Sequence, residues 1–165
     1  MKLIDCFMYF DEDLVLDIRL NTLDKIVDKF VIVEAKKDHA GNEKNLNFNI
    51  KNFAKFKNKI SYIVIDDLPI TKKFFRKNWR PEWYTENAHR DKLELGYLDA
   101  SDQDLIMISD IDEIPNPKKL EEFDIKNKYA CFLQKNFQSK INLLNVTNED
   151  WAGTKICQKK YLKSP

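Results

Sequence analysis

The stretch Leu105-Ile106-Met107-Ile108-Ser109-Asp110-Ile111-Asp112-Glu113-Ile114-Pro115 decides the fold class. An apolar run of strand length stops, and three carboxylates follow within four positions. Pro115 has no N–H to donate and forbids simple continuation of the strand. This is the pattern of a buried strand that delivers negative charge to one end of a sheet. Clustered carboxylates repel one another unless something positive sits on them. A divalent cation carrying a phosphorylated ligand meets that need, and a solvated turn is the plainer alternative. Asp-x-Asp spacing alone is weak support in a chain with 27 acidic residues. Asp11-Glu12-Asp13 and Asp102-Gln103-Asp104 repeat it in polar surroundings, where a helix start and a turn suffice. Only Asp110 and Asp112 come straight off an apolar run.

Three earlier runs share the character of residues 105–109. Residues 3–10 are apolar and aromatic apart from Asp5, 30–33 are β-branched and end at Glu34, and 60–65 end at Asp66 and Asp67. Between the first two, Leu14, Ile18, Leu23, Ile26 and Val27 recur at helical spacing to about residue 28, with Asp11 or Asp13 placed to cap. Phe48, Phe53 and Phe56 predict a short amphipathic helix. An aromatic segment with Phe74, Phe75 and Trp79 precedes Pro81, which suits the first turn of a helix running to about Tyr97. Residues 129–133 and 141–146 are weaker strand candidates. Strand and helix alternation predicts an α/β fold with a mostly parallel sheet flanked by helices. Ligands bind such sheets beyond the carboxyl ends of the strands, so Tyr9, Phe10, Glu34, Asp66 and Asp110 are expected on one rim.

Bulk properties narrow the function. A chain of 165 residues suits one domain, and 43% hydrophobic with 12% aromatic residues excludes a disordered chain. A net charge of +1 without a basic block argues against nucleic acid as a partner. Three glycines exclude a glycine-rich phosphate cradle. Cys6, Cys131 and Cys157 are scattered and odd in number, which predicts buried thiols and a reducing compartment. The first residues lack the apolar stretch of a signal peptide, and no run reaches membrane-span length. A cytoplasmic protein without a transmembrane segment is expected, with a peripheral membrane contact left open.

Asp5-Cys6-Phe7-Met8-Tyr9-Phe10 with Glu12, followed by Asp17-Ile18-Arg19-Leu20, resembles the N-terminal signature of glycosyltransferase family 17. That is the group of the β-1,4-mannosyl-glycoprotein β-1,4-N-acetylglucosaminyltransferase. Further blocks match in the same order. They are residues 27–34, Trp83 with Glu86 and Arg90 ahead of Gly96, residues 109–115, and Trp151-Ala152-Gly153-Thr154. The resemblance implies a Rossmann-like GT-A type fold and sugar transfer from a nucleotide donor, UDP-N-acetylglucosamine in the best-known members, to a glycan acceptor. It also implies a single nucleotide-sugar-binding domain over residues 1–165, shortened at its C-terminus relative to similar proteins.

On that reading Asp110 and Asp112 hold Mn²⁺ or Mg²⁺ across the donor diphosphate, since such cations take oxygen ligands. Asp112 ligates directly, and Asp110 contacts the ribose or reaches the metal through water. Glu34 and Asp66 hydrogen-bond the nucleoside, and Tyr9 or Phe10 stacks on uracil, core packing being the plainer expectation for Phe10. Arg90 pairs with phosphate or forms a salt bridge to Glu86 or Glu94. Inversion needs a carboxylate to take the acceptor proton, for which Glu113 and Asp150 are the candidates. His39 and His89 read as surface residues. Two rivals remain. A haloacid-dehalogenase-type sugar phosphatase also uses Asp-x-Asp, although there the motif opens the domain. A donor-binding module without transferase activity is the other.

Overall fold

The computed structural model describes residues 1–69, 81–138 and 142–165. Six strands form one sheet: β1 (Leu3–Met8), β2 (Lys29–Ala35), β3 (Ile60–Ile65), β4 (Leu105–Ser109), β5 (Tyr129–Lys135) and β6 (Asp150–Gln158). Their spatial order is β3-β2-β1-β4-β6-β5. β3, β2, β1 and β4 pair in parallel, whereas β6 is antiparallel to both β4 and β5. The sheet is therefore mixed, which corrects the mostly parallel expectation at its β5 edge.

Burial on both faces explains why the parallel strands read as unbroken apolar runs. Phe7, Tyr9, Phe30, Ile32 and Met107 pack on one side with Leu16, Leu20 and Leu23 of helix α1 (Asp13–Leu23). Ile4, Cys6, Val31, Val33, Ile106 and Ile108 face the other side. There they meet Leu93 of a 3₁₀ segment (Lys92–Gly96) that continues helix α2 (Pro81–Asp91). Gly96 allows that close approach, because a Cβ there would lie 2.0 Å from Val31 Cγ1. One four-residue helix, α3 (Pro117–Leu120), follows the acid cluster.

Several local expectations change. Helix α1 starts after Glu12 and ends at Leu23, and neither Asp11 nor Asp13 caps it. Asp13 instead accepts from the Tyr9 hydroxyl at 2.6 Å. The phenylalanine segment forms 3₁₀ turns (Ile50–Phe56) that bury Phe53 and Phe56. Of the weak strand candidates, residues 129–133 lie inside β5. In the other, Leu144 makes only an isolated bridge to Phe137, and Ile141 lies outside the described residues. So do Phe74, Phe75 and Trp79. The sixth strand is β6, hidden in the sequence by Asp150, Gly153, Thr154, Lys155 and Gln158. All three cysteines are free, but Cys131 is exposed on the edge strand instead of buried. No described helix is long and apolar enough to cross a membrane.

Candidate active site

The strand order reverses direction between β1 and β4, because β1 leads to β2 on one side and borders β4 on the other. In open α/β sheets this switch point leaves a crevice at the carboxyl ends. A cavity of about 510 Å³ lies there, lined by Tyr9 and Phe10 after β1 and by Asp110, Ile111 and Asp112 after β4. Lys37, Asp38, His39 and Lys44 of the loop after β2 form another wall, with Glu86 and His89 of α2 completing it.

The acid loop is held from beneath by a residue to which the sequence reading gave no role. Arg19 sits in the apolar stripe of α1 and is fully buried with Asp5 of β1, both at 0% side-chain exposure. Its Nε and Nη2 donate to the two Asp5 oxygens at 2.8 and 2.7 Å. Nη2 also donates to Ser109 Oγ at 2.6 Å. Nη1 donates to the carbonyls of Asp110 (3.0 Å), Ile111 (3.0 Å) and Glu113 (3.3 Å). A lysine could not make this pattern, because only guanidinium offers five N–H groups in a rigid fork. The signal was available: an Asp inside an apolar strand and an Arg in a helix's apolar stripe are two anomalies that can cancel.

The antiparallel strands hold the same loop from the side. Thr154 Oγ1 donates to the Glu113 carbonyl at 2.5 Å, and Gln134 Nε2 donates to the Ile114 carbonyl at 2.8 Å. Trp151 Nε1 donates to Glu113 Oε1 at 2.5 Å, while Glu113 Oε2 accepts from the Asp110 amide at 3.2 Å. Each oxygen of Glu113 thus accepts one hydrogen bond, which ties the loop to Trp151, and the residue is outside the cavity lining. Asp150 is 63% exposed and pairs with Lys135 at 3.1 Å, outside the cavity lining.

Two carboxylates project from this fixed backbone into the cavity. Asp110 Oδ1 accepts from Arg90 Nη2 at 2.8 Å, and Arg90 also pairs with Glu86 at 3.0 Å. Asp112 is exposed, and its carboxylate has no partner among the described residues. No cluster of three or more His, Cys, Asp or Glu among the described residues could hold a metal alone. Asp110 and Asp112 are oxygen donors of the type Mg²⁺ or Mn²⁺ takes, and a cation held there would leave the rest of its coordination to water and phosphate oxygens.

Other expected rim residues are placed differently. Glu34 is fully buried, salt-bridged to Lys44 at 2.5 Å. It accepts from the Asn47 and Phe48 amides and the Tyr62 hydroxyl, which leaves it outside the cavity as an anchor for the loop after β2. Asp66 pairs with Lys36 at 2.6 Å on the surface. Tyr9 is buried, with its ring edge-on to Phe48, and burial together with its bond to Asp13 raises its pKa. Phe10 is 44% exposed with Lys44 Nζ 4.9 Å from its ring centre, so this ring, and not that of Tyr9, is the accessible one.

His89 corrects the surface expectation. It is 5% exposed, its Nδ1 lies 3.4 Å from His39 Nε2, and its Nε2 has no hydrogen-bond partner among the described residues. Burial first, and then the adjacent His39, depress its pKa to about 4. The wall near the loop after β2 thus carries a neutral imidazole together with Lys37, Lys44, Asp38 and Glu86.

No curated protein matches the chain. The family model for glycosyltransferase family 17 matches residues 1–151, a span that holds β1 to β5, Arg19, the acid loop and Trp151, and the chain is a glycosyltransferase belonging to that family.

Proposed function

We propose that the protein transfers a sugar from a UDP-sugar, N-acetylglucosamine being the choice the family suggests, to a glycan acceptor with inversion on a GT-A type fold. One observation carries the metal-dependent part of this reading. Asp110 and Asp112 project from a loop whose carbonyls are held by Arg19, Thr154 and Gln134, into a cavity at the sheet's switch point. Rigid placement matters, because a site held to a fraction of an ångström spends no binding energy on ordering itself.

In this reading Asp112, with free oxygens, and Asp110 hold a divalent cation. Mn²⁺ or Mg²⁺ bound there supplies neutralisation of charge on the leaving diphosphate. Arg90 keeps Asp110 oriented and brings a positive charge toward the phosphates. Phe10 offers its ring to the base. The lysine and histidine wall faces the rest of the donor. The proton acceptor for the incoming hydroxyl is not assigned to Glu113, which lies outside the cavity lining.

A thermal-shift screen of nucleotide sugars with and without Mn²⁺ tests the donor, since a ligand that binds only the folded state raises Tm by mass action. A UDP-sugar should stand out only when the cation is present. Asp112→Asn should abolish turnover while leaving Tm within about 2 °C, because exposed positions contribute about 0.5 kcal/mol or less. A fully active Asp112→Asn enzyme would remove the metal reading.

A further inference from the structure

We propose that Arg90 makes the cation and the diphosphate bind as a unit, weakening the cation alone and strengthening the pair. The inference rests on the reading of Asp110 and Asp112 as cation ligands and adds a sign that reading does not contain. Arg90 lies at the end of α2, and one guanidinium group pairs with both Asp110 (2.8 Å) and Glu86 (3.0 Å). Its side chain is 25% exposed, so solvent screens its charge only in part.

A fixed positive charge beside a carboxylate acts in two directions. It repels a dication approaching Asp110 and occupies one of that residue's two oxygens. It also attracts the negative charges of a diphosphate. Free cation therefore meets a site already partly neutralised. Cation with diphosphate meets a site in which Arg90 has become complementary to the ligand. In linkage terms each ligand raises the affinity of the other, and Arg90 carries part of that coupling.

Calorimetry on the whole chain tests this without a turnover assay. Three titrations are needed: Mn²⁺ alone, UDP alone, and UDP in saturating Mn²⁺. Arg90→Met should tighten Mn²⁺ alone by about threefold, weaken UDP in Mn²⁺ by about tenfold, and weaken UDP alone by less than it weakens UDP in Mn²⁺, the size expected of a screened charge a few ångströms away. Arg90→Lys keeps the charge and should retain most of the coupling. Arg90→Met weakening Mn²⁺ alone, or weakening UDP equally with and without Mn²⁺, or Arg90→Lys losing as much coupling as Arg90→Met, overturns the proposal while leaving the metal reading intact. Wild-type protein binding neither Mn²⁺ nor UDP overturns the metal reading, and this inference with it.

Discussion

Replacing Arg19 by Met should destabilise the protein far more than an ordinary helix substitution. Methionine matches the length of the stem, so the lost interactions dominate over lost volume. The two Asp5 oxygens lose both short bonds and remain buried at 0% exposure with an uncompensated charge. Removing one partner of such a pair costs about 3–5 kcal/mol. Total stability of a domain is about 5–15 kcal/mol, so much of it is at stake. For a chain this long, roughly 2–4 °C of Tm per kcal/mol gives a fall of about 6–20 °C. The control is the double variant Asp5→Asn with Arg19→Met. It removes the stranded charge, so it should be more stable than Arg19→Met alone, by about 2 kcal/mol. Urea unfolding of wild type, both single variants and the double variant measures this. An Arg19→Met cost below about 1 kcal/mol, or single costs that simply add, would refute the claim that the buried pair is tightly coupled.

Three other outcomes follow from single contacts. His89 is neutral in the fold down to about pH 4, whereas in the unfolded chain it takes a proton near its ordinary value of 6.5. Stability is thus fully present above about pH 7 and is lost as pH falls from 6.5 toward 4, by about 3 kcal/mol in total. His89→Gln should flatten that part of the urea-midpoint profile, and an unchanged slope would rule out the histidine as its source. Gly96→Ala places a Cβ 2.0 and 2.6 Å from the two Val31 methyls and should cost at least the roughly 1–3 kcal/mol of ordinary overpacking, partly recovered by adding Val31→Ala. Trp151→Phe removes the donor to Glu113 Oε1 and should cost about 1.5–3 kcal/mol in urea unfolding, as for a hydrogen bond to a charged group. It should also weaken UDP–Mn²⁺ binding by loosening the acid loop, and an unchanged calorimetric affinity would place Trp151 outside that linkage.

The four parallel strands were legible because both their faces are covered, which forces continuous Ile, Val, Leu and Phe. β6 was not, because it lies between β4 and β5 while exposing Trp151, Ala152 and Lys155, and its alternation is broken by Gly153. Strand ends told which residues approach the rim but not which way each side chain turns. Tyr9 and Asp110 do line the cavity, whereas Glu34 turns inward to Lys44 and Asp66 outward to Lys36. Arg90 was expected to meet either phosphate or a glutamate, and it holds Glu86 and Asp110 together. His89 looked superficial because its neighbours on α2 are polar. His39, whose ring contacts it, is fifty positions away and carries no periodic signal.

The same limit explains why Arg19 matters. A buried ion pair is a poor device for stability, since an apolar pair of equal volume usually serves as well or better. Here an apolar pair could not do the same work. Three carbonyls of the acid loop turn toward Arg19; that of Glu113 also accepts from Thr154 and that of Asp110 from the Glu113 amide, so the Ile111 carbonyl depends most on the guanidinium, and leaving it unsatisfied would cost about 1–3 kcal/mol. They face inward because the chain must reverse after β4 while pointing Asp110 and Asp112 into the cavity. The two N–H groups of Nη1 are shared among these carbonyls from one side chain, and Asp5, one strand away in register with Met107, supplies the counter-charge. The two residues that interrupt their apolar patterns are thus the cost of presenting Asp110 and Asp112 at the carboxyl end of the sheet on a backbone held by hydrogen bonds.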